Sequence, residues 1–186
     1  AAEERVAVVT TGAGNPAPYM DAWLAAGVKV LPVTASTGLA KLAARCGAAA
    51  VIAEGCESGG HIGELTTFAL VPQVRDAVNI PVIAAGGIAD GRGLAASLML
   101  GAAGAQVGTA FLVAQECGVH PNYTARLLKA GDLDTAVTGR RLGHPVRSLR
   151  TPFTRAYVQA EQSGIGDEEL EALGSGALRR AVIDGD

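Results

Sequence analysis

The sequence predicts an α/β protein of the TIM (β/α)8-barrel type, with this chain supplying strands 4 to 8 and a C-terminal cap region. Three observations carry that expectation. Five apolar runs recur, each followed by a small or polar turn, a short helical pattern and a glycine, at the spacing of consecutive βα units. The runs are almost continuously apolar, as strands covered on both faces are. Glycine-rich turns close two consecutive late runs, Ala85-Gly86-Gly87-Ile88 and Val107-Gly108-Thr109, and barrels commonly bind phosphate with the loops after strands 7 and 8. The competing architecture is an open dinucleotide-binding sheet, which wants G-x-G-x-x-G after its first strand. Here Gly12-Ala13-Gly14-Asn15-Pro16-Ala17 fails at the third glycine and puts proline in the turn. A whole barrel takes about 250 residues. The 186 residues present are therefore read as lacking the first three βα units, and with Ala1 rather than Met at position 1 the true start is expected upstream.

Taken in order, Val6 to Thr11 is a β-branched run and the first strand. Asn15 and Pro16 read as an N-cap and N1 pair for a helix with Tyr19, Met20, Trp23 and Leu24 on one face and Gly27 as its stop. Val28 to Val33 is the second strand. Thr34 and Ser36 are candidate caps for a helix that turns Leu39, Leu42 and Ala43 inward. Ala48 to Ala53 is the third strand. Phe68, Val71, Val74 and Val78 mark the inner face of the next helix, whose regular part is expected to start late because Pro72 interrupts its first half. Ile80 to Ala85 is the fourth strand, Leu94 and Leu98 face inward from the following helix, and Gly104 to Thr109 is the fifth strand. Residues 1–118 are read as the barrel part, and 119–186 as a helical cap or lid packed on it.

Composition narrows the function. A net charge of −3 gives no reason to expect nucleic acid as a partner. Cys46, Cys56 and Cys117 lie far apart with no C-x-x-C pair, which argues against a disulfide framework or a metal site and for a reducing, cytoplasmic compartment. No apolar run approaches the roughly 20 residues of a membrane span.

The chemistry gathers in Ala53-Glu54-Gly55-Cys56-Glu57-Ser58-Gly59-Gly60-His61-Ile62-Gly63. An apolar strand stops at a carboxylate and gives way to a glycine-rich loop with one histidine. Loops beyond the carboxyl ends of parallel strands are where ligands bind. His61 can exchange a proton near neutral pH. Glu54 ends its strand, where it can accept a hydrogen bond from a cofactor or ion. Backbone N–H groups at Gly86, Gly87, Gly108 and Thr109 can form an anion cradle. His120, just before Pro121, reads as a helix cap. His144, in Gly143-His144-Pro145-Val146-Arg147, reads as part of a rigid turn closing over the site. Cys56 has no third group to orient it against His61 and is read as a packing residue rather than a nucleophile.

These residues resemble the signature of the flavin-dependent enoyl-acyl-carrier-protein reductases of type II, whose close relatives are the nitronate monooxygenases, or 2-nitropropane dioxygenases. The resemblance includes Leu65-Thr66-Thr67 and continues in Val9 to Pro16, Pro81 to Gly91, Gln106 to Thr109 and Gly143 to Ser148, and so runs over nearly the whole chain. It implies a barrel carrying FMN, with the phosphate held at Gly86, Gly87, Gly108 and Thr109. Glu54, Gly59 and Gly60 join that cofactor set, and His61 is the active-site histidine beside the flavin ring. Cys56 and Ser58 stand where the reductases usually carry methionine and alanine. Ile62, Leu65-Thr66-Thr67 and His144 to Arg147 look like the reductase branch. The lysine often found near the end of strand 5 in bacterial nitronate monooxygenases is absent from Leu31-Pro32-Val33-Thr34.

The expected activity is reduction of a trans-2-enoyl thioester by NADH or NADPH through FMN, in fatty acid synthesis, with no metal. An acyl carrier protein is the expected partner, without nucleic acid or membrane, and the full-length protein is expected to be a homodimer. The arginine-rich stretch Arg140, Arg141, Arg147, Arg150 and Arg155 offers a docking face for an acidic carrier, against the plainer reading of a solvated basic surface. Two alternatives stay open: a nitronate monooxygenase using FMN and oxygen, and a truncated, catalytically incompetent fragment whose open sheet edges invite association.

Overall fold

The computed structural model describes residues 1–12 and 14–185. Ala13, part of the expected first glycine turn, and Asp186 lie outside the described residues. The chain divides into two compact units: Ala1–Ser58 with Ile62–Val107, and Gly59–His61 with Gly108–Asp186.

The first unit is a parallel sheet with helices between successive strands. In chain order it comprises β1 (Val8–Thr11), α1 (Ala17–Ala25), β2 (Lys29–Thr34), α2 (Thr37–Arg45) and β3 (Val51–Glu54). After the short strand β4 (Gly60–His61), which belongs to the second unit, it continues with α3 (Thr67–Ala77), β5 (Val82–Ala85), α4 (Gly91–Met99) and β6 (Gly104–Gln106). The strands lie in the order β1-β2-β3-β5-β6, and every pair is parallel. Each new strand is added on the same side as the last. A doubly wound sheet would reverse direction partway; this one does not, and its fold class is the α/β barrel type the sequence predicts. Val51, Ile52 and Ala53 are buried, as are Val82, Ala84 and Ala85, so the central strands are apolar on both faces. Met20, Ala40, Ala43, Leu70, Val71 and Val74 close the core from the helices.

Local capping explains several boundaries. Asn15 Oδ1 accepts from the Ala17 amide at 3.0 Å, and Ser36 Oγ from Leu39 at 3.2 Å. Thr34 is not a cap; its buried hydroxyl donates to Ile52 O at 3.3 Å. The strands begin two or three residues later than their apolar runs in β1, β3 and β5, and β6 stops at Gln106. Gly108 then opens a 3-10 turn over Thr109–Val113.

Expected inner faces on four helices are corrected. Phe68 is 74% exposed; the buried stripe of α3 is Thr67, Leu70, Val71 and Val74, with Phe68 at its margin in the first turn. Leu94 and Leu98 are exposed, and the buried residue of α4 is Ser97, whose hydroxyl donates to Gly93 O at 2.8 Å and so enters the interior satisfied. Tyr19, Leu24 and Leu39 also flank rather than face the core. Nor does Pro72 delay α3, which is regular from Thr67. The bond that proline forgoes is to the carbonyl of the exposed Phe68, in the first turn of the helix.

The second unit contains α5 (Pro121–Lys129), β7 (Thr135–Thr138), β8 (Val146–Leu149), α6 (Pro152–Ser163) and α7 (Asp167–Gly174). Strands β4, β8 and β7 form an antiparallel sheet in that order. A capping box between Thr151 and Thr154 starts α6, and left-handed Gly164 ends it. Arg141 then fastens the α6–α7 corner: its guanidinium donates to the Glu161 and Ile165 carbonyls and pairs with Asp167 at 3.0 Å.

Candidate functional site

In the first unit the site residues sit at the carboxyl ends of β3 and β5. Glu54 is the last residue of β3 and is half-buried. Burial pushes its carboxyl above the ordinary glutamate range, because a charge is less well solvated there. The Ser58 hydroxyl approaches and partly offsets that rise without closing a hydrogen bond of ordinary geometry. Ser58 is 9% exposed, and its Oγ is buried with no hydrogen-bond partner. Thr11 Oγ1, at the last residue of β1, is in the same condition. Thr11 also lines an open pocket of about 210 Å³ with Gly12, Asn15, Pro16, Tyr19 and Trp23. Buried polar atoms are rarely left without partners. That both of these lie at or just past the carboxyl end of a strand fits a polar ligand there.

A second cluster joins the loop after β3 to the start of α3 and the end of β5. The Thr67 amide, at the start of α3, donates to Glu57 Oε2 at 2.9 Å and Oε1 at 3.1 Å. Thr67 Oγ1 lies 3.0 Å from Glu57 Oε2, 3.0 Å from Ala85 O and 2.9 Å from Gly86 O. The Gly55 amide donates to Ala85 O at 3.0 Å. Gly86 has φ +98°, and a methyl group on it would sit 2.8 Å from both Gly55 O and Thr67 Oγ1. Only glycine fits that backbone and that gap. Gly87 follows, exposed and with φ +70°.

In the second unit, Gly60 and His61 pair with Arg147 and Val146 across the β4–β8 ladder. The ladder holds the His61 backbone, and the residue is exposed. A methyl on Gly59 would meet Thr109 Oγ1 at 3.3 Å, so the structure brings these two expected cofactor residues together, beside Gly108. His120 is a cap, as expected: its Nδ1 accepts from the Asn122 amide at 3.1 Å. His144 closes a turn, its amide donating to Gly139 O at 3.1 Å.

The arginine-rich stretch works largely within its own unit. Besides Arg141, Arg147 donates to Thr135 Oγ1 at 3.0 Å and Arg150 to Thr135 O at 3.4 Å. Among the described residues no cluster of three or more His, Cys, Asp or Glu gathers to hold a metal ion, and no helix is long and apolar enough to cross a membrane.

Sequence reasoning missed Glu57, Thr67 and Ser58 as working parts. For Thr67 the only local signal was a threonine opening a helical pattern; its partners at Ala85 and Gly86 are tertiary.

Comparison with known proteins bears on these elements. The sequence model of a family described as nitronate monooxygenase matches residues 1–186. The structure of FabK from Thermotoga maritima superposes with a TM-score of 0.95 at 55% identity, covering 99% of this chain and 58% of that one. The (3aS,4S,5R,7aS)-5-hydroxy-7a-methyl-1-oxo-octahydro-1H-indene-4-carboxyl-CoA dehydrogenase of Rhodococcus jostii is 50% identical over 140 residues, 75% of this chain and 39% of that protein. A probable nitronate monooxygenase of Staphylococcus saprophyticus is 41% identical over 145 residues, 72% of this chain and 41% of that protein. The chain thus spans about four-tenths of the length of these two relatives.

Proposed function

This chain belongs to the nitronate monooxygenase family, and on that premise we propose that the full-length protein reduces a trans-2-enoyl thioester, presented on acyl carrier protein, with FMN and NADH or NADPH. The observation that carries the reading is the buried, unpartnered Ser58 hydroxyl beside the half-buried Glu54 carboxyl. It is a polar subsite at the strand end where a flavin of this family is expected, and the residues fit such a group. Likeness to FabK and to a relative named for an acyl-CoA substrate supports this reading.

Bound FMN would supply the hydride relay from the nicotinamide to the β-carbon of the substrate. The chain's own residues bind and handle the proton. Glu54, Gly59, Gly60, Gly86, Gly87, Gly108 and Thr109 are the proposed cofactor contacts. Backbone N–H groups at the glycine turns are suited to phosphate oxygens. His61, exposed on its short strand, delivers a proton to the α-carbon or donates a hydrogen bond to the developing enolate oxygen.

The name of the staphylococcal relative favours a second reading, in which His61 takes a proton from a nitroalkane and oxygen replaces nicotinamide. One experiment separates the two. NADH oxidation by the full-length protein on adding a trans-2-enoyl thioester supports the reductase. Oxygen uptake with a nitronate and no NADH, together with inert thioester, replaces it with the monooxygenase.

A further inference from the structure

We propose that Thr67, held by Glu57, is a positioning residue for the cofactor: its amide and hydroxyl together tie the loop after β3 to the glycine turn after β5 and fix their separation. The inference rests on the FMN reading above and concerns two residues outside the proposed cofactor contacts.

Three backbone segments converge on this side chain. Glu57 comes from the loop after β3, Ala85 and Gly86 from the end of β5, and Thr67 itself opens α3. A hydroxyl has one proton and two lone pairs, yet three oxygens surround Thr67 Oγ1 at 2.9 to 3.0 Å. The Thr67 amide holds the Glu57 carboxylate, with bonds to both of its oxygens, and the hydroxyl reaches Oε2 as well. A carboxylate is stabilised at a helix N-terminus by the partial positive charge of the free amides. With the amide already holding Glu57, the hydroxyl proton is shared among the β5 carbonyls and the carboxylate rather than needed by the carboxylate alone. Ala85 is 1% exposed, so water does not replace that bond freely.

The glycines show how tight the fit is. A methyl on Gly55 would overlap the Thr67 amide and hydroxyl, and one on Gly86 would press on Gly55 O and Thr67 Oγ1. One on Gly87 would stand 3.1 Å from Glu57 Cβ. Two of the glycines proposed to face the cofactor phosphate, Gly86 and Gly87, are therefore packed directly against the clamp. A shift of Thr67 moves their amides, and anion binding by backbone N–H groups depends on those directions.

The test uses the full-length protein as wild type, Thr67→Val, Thr67→Ser and Glu57→Gln. Valine keeps the shape and loses the hydroxyl; serine keeps the hydroxyl. Two quantities are measured: FMN dissociation constants by flavin fluorescence, and hydrogen–deuterium exchange of residues 55–58 and 84–88 in the flavin-free protein. Thr67→Val is expected to weaken FMN about tenfold and to speed exchange in both segments together. Thr67→Ser is expected to stay within about threefold and to restore protection. Rescue by serine separates positioning from general destabilisation. Should valine prevent folding, Glu57→Gln carries the test, with faster exchange in both segments and a loss of about threefold. Unchanged exchange in both segments, or a loss serine does not restore, overturns the clamp. A wild-type protein that binds no FMN overturns the function proposed above, while the exchange data still decide whether Thr67 couples the two segments.

Discussion

The backbone amide of Thr67 lies 2.9 Å from the carboxylate of Glu57, ten residues earlier in the chain. The carboxylate thereby does for α3 what Ser36 does for α2, but from a separate loop. Thr66, the residue in the N-cap position, makes no side-chain cap bond of its own.

Glu57→Ala is expected to cost about 1 kcal/mol of stability, the usual cost of deleting a cap. The same substitution at the exposed Glu116, outside this cluster, should cost less. Thermal or denaturant unfolding of the two variants checks the difference; equal effects would remove Glu57 from the role of cap.

Glu54 predicts a pH dependence of definite sign. Its folded pKa is raised by burial, so across the window from the ordinary glutamate range upward the native state holds more proton than the unfolded chain. Stability from this group is then lost as pH rises through that window. Glu54→Gln should be more stable than wild type at pH 7, and the advantage should vanish near pH 4. Melting temperatures of both proteins from pH 4 to 8 test this. A difference independent of pH means that the carboxyl does not titrate abnormally.

Ser58→Ala is expected to leave the flavin-free protein as stable as wild type or slightly more so, since removing an unpartnered buried hydroxyl costs nothing in hydrogen bonding. FMN should bind several-fold more weakly, by about 1 kcal/mol for one lost hydrogen bond. A stability loss without any change in flavin affinity would assign Ser58 to packing.

His61→Ala should lower turnover by about 10²- to 10⁴-fold, the range for general acid–base groups, while FMN remains bound. Full activity in this variant would end the proton-transfer assignment.

At the α6–α7 corner, Arg141→Met is expected to cost about 1–2 kcal/mol, because it removes bonds to two backbone carbonyls. Asp167→Asn should cost under about 0.5 kcal/mol, as for an exposed ion pair. Asp167 is 74% exposed in that pair. Equal costs would place the value of Arg141 in its ion pair instead.

What the sequence made legible was what is local or periodic. The caps at Asn15, Ser36 and His120 involve partners two or three residues away, and each followed from residue type beside a helical pattern. The parallel strands followed from apolar runs. Leu94, Leu98 and Phe68 misled because hydrophobicity alone does not centre a helix face; Ser97 was buried instead because its hydroxyl is satisfied inside its own helix. Strands β7 and β8 went unread because every residue in them is half-buried, which blurs the alternation that marks a strand, and because the arginines of that stretch read as a basic surface. The contacts of Thr67 were beyond reach, since they join three segments that only folding brings together.

The pairing of His61 with Val146 has a consequence for the order in which the protein becomes competent. Synthesis proceeds from the amino terminus, and the ribosome emits the histidine long before the valine. Strands β1 to β6 can all have emerged while His61 has no ladder partner. The histidine is anchored only once β8 has been made, so a nascent chain cut short before Val146 would carry His61 on an untethered loop.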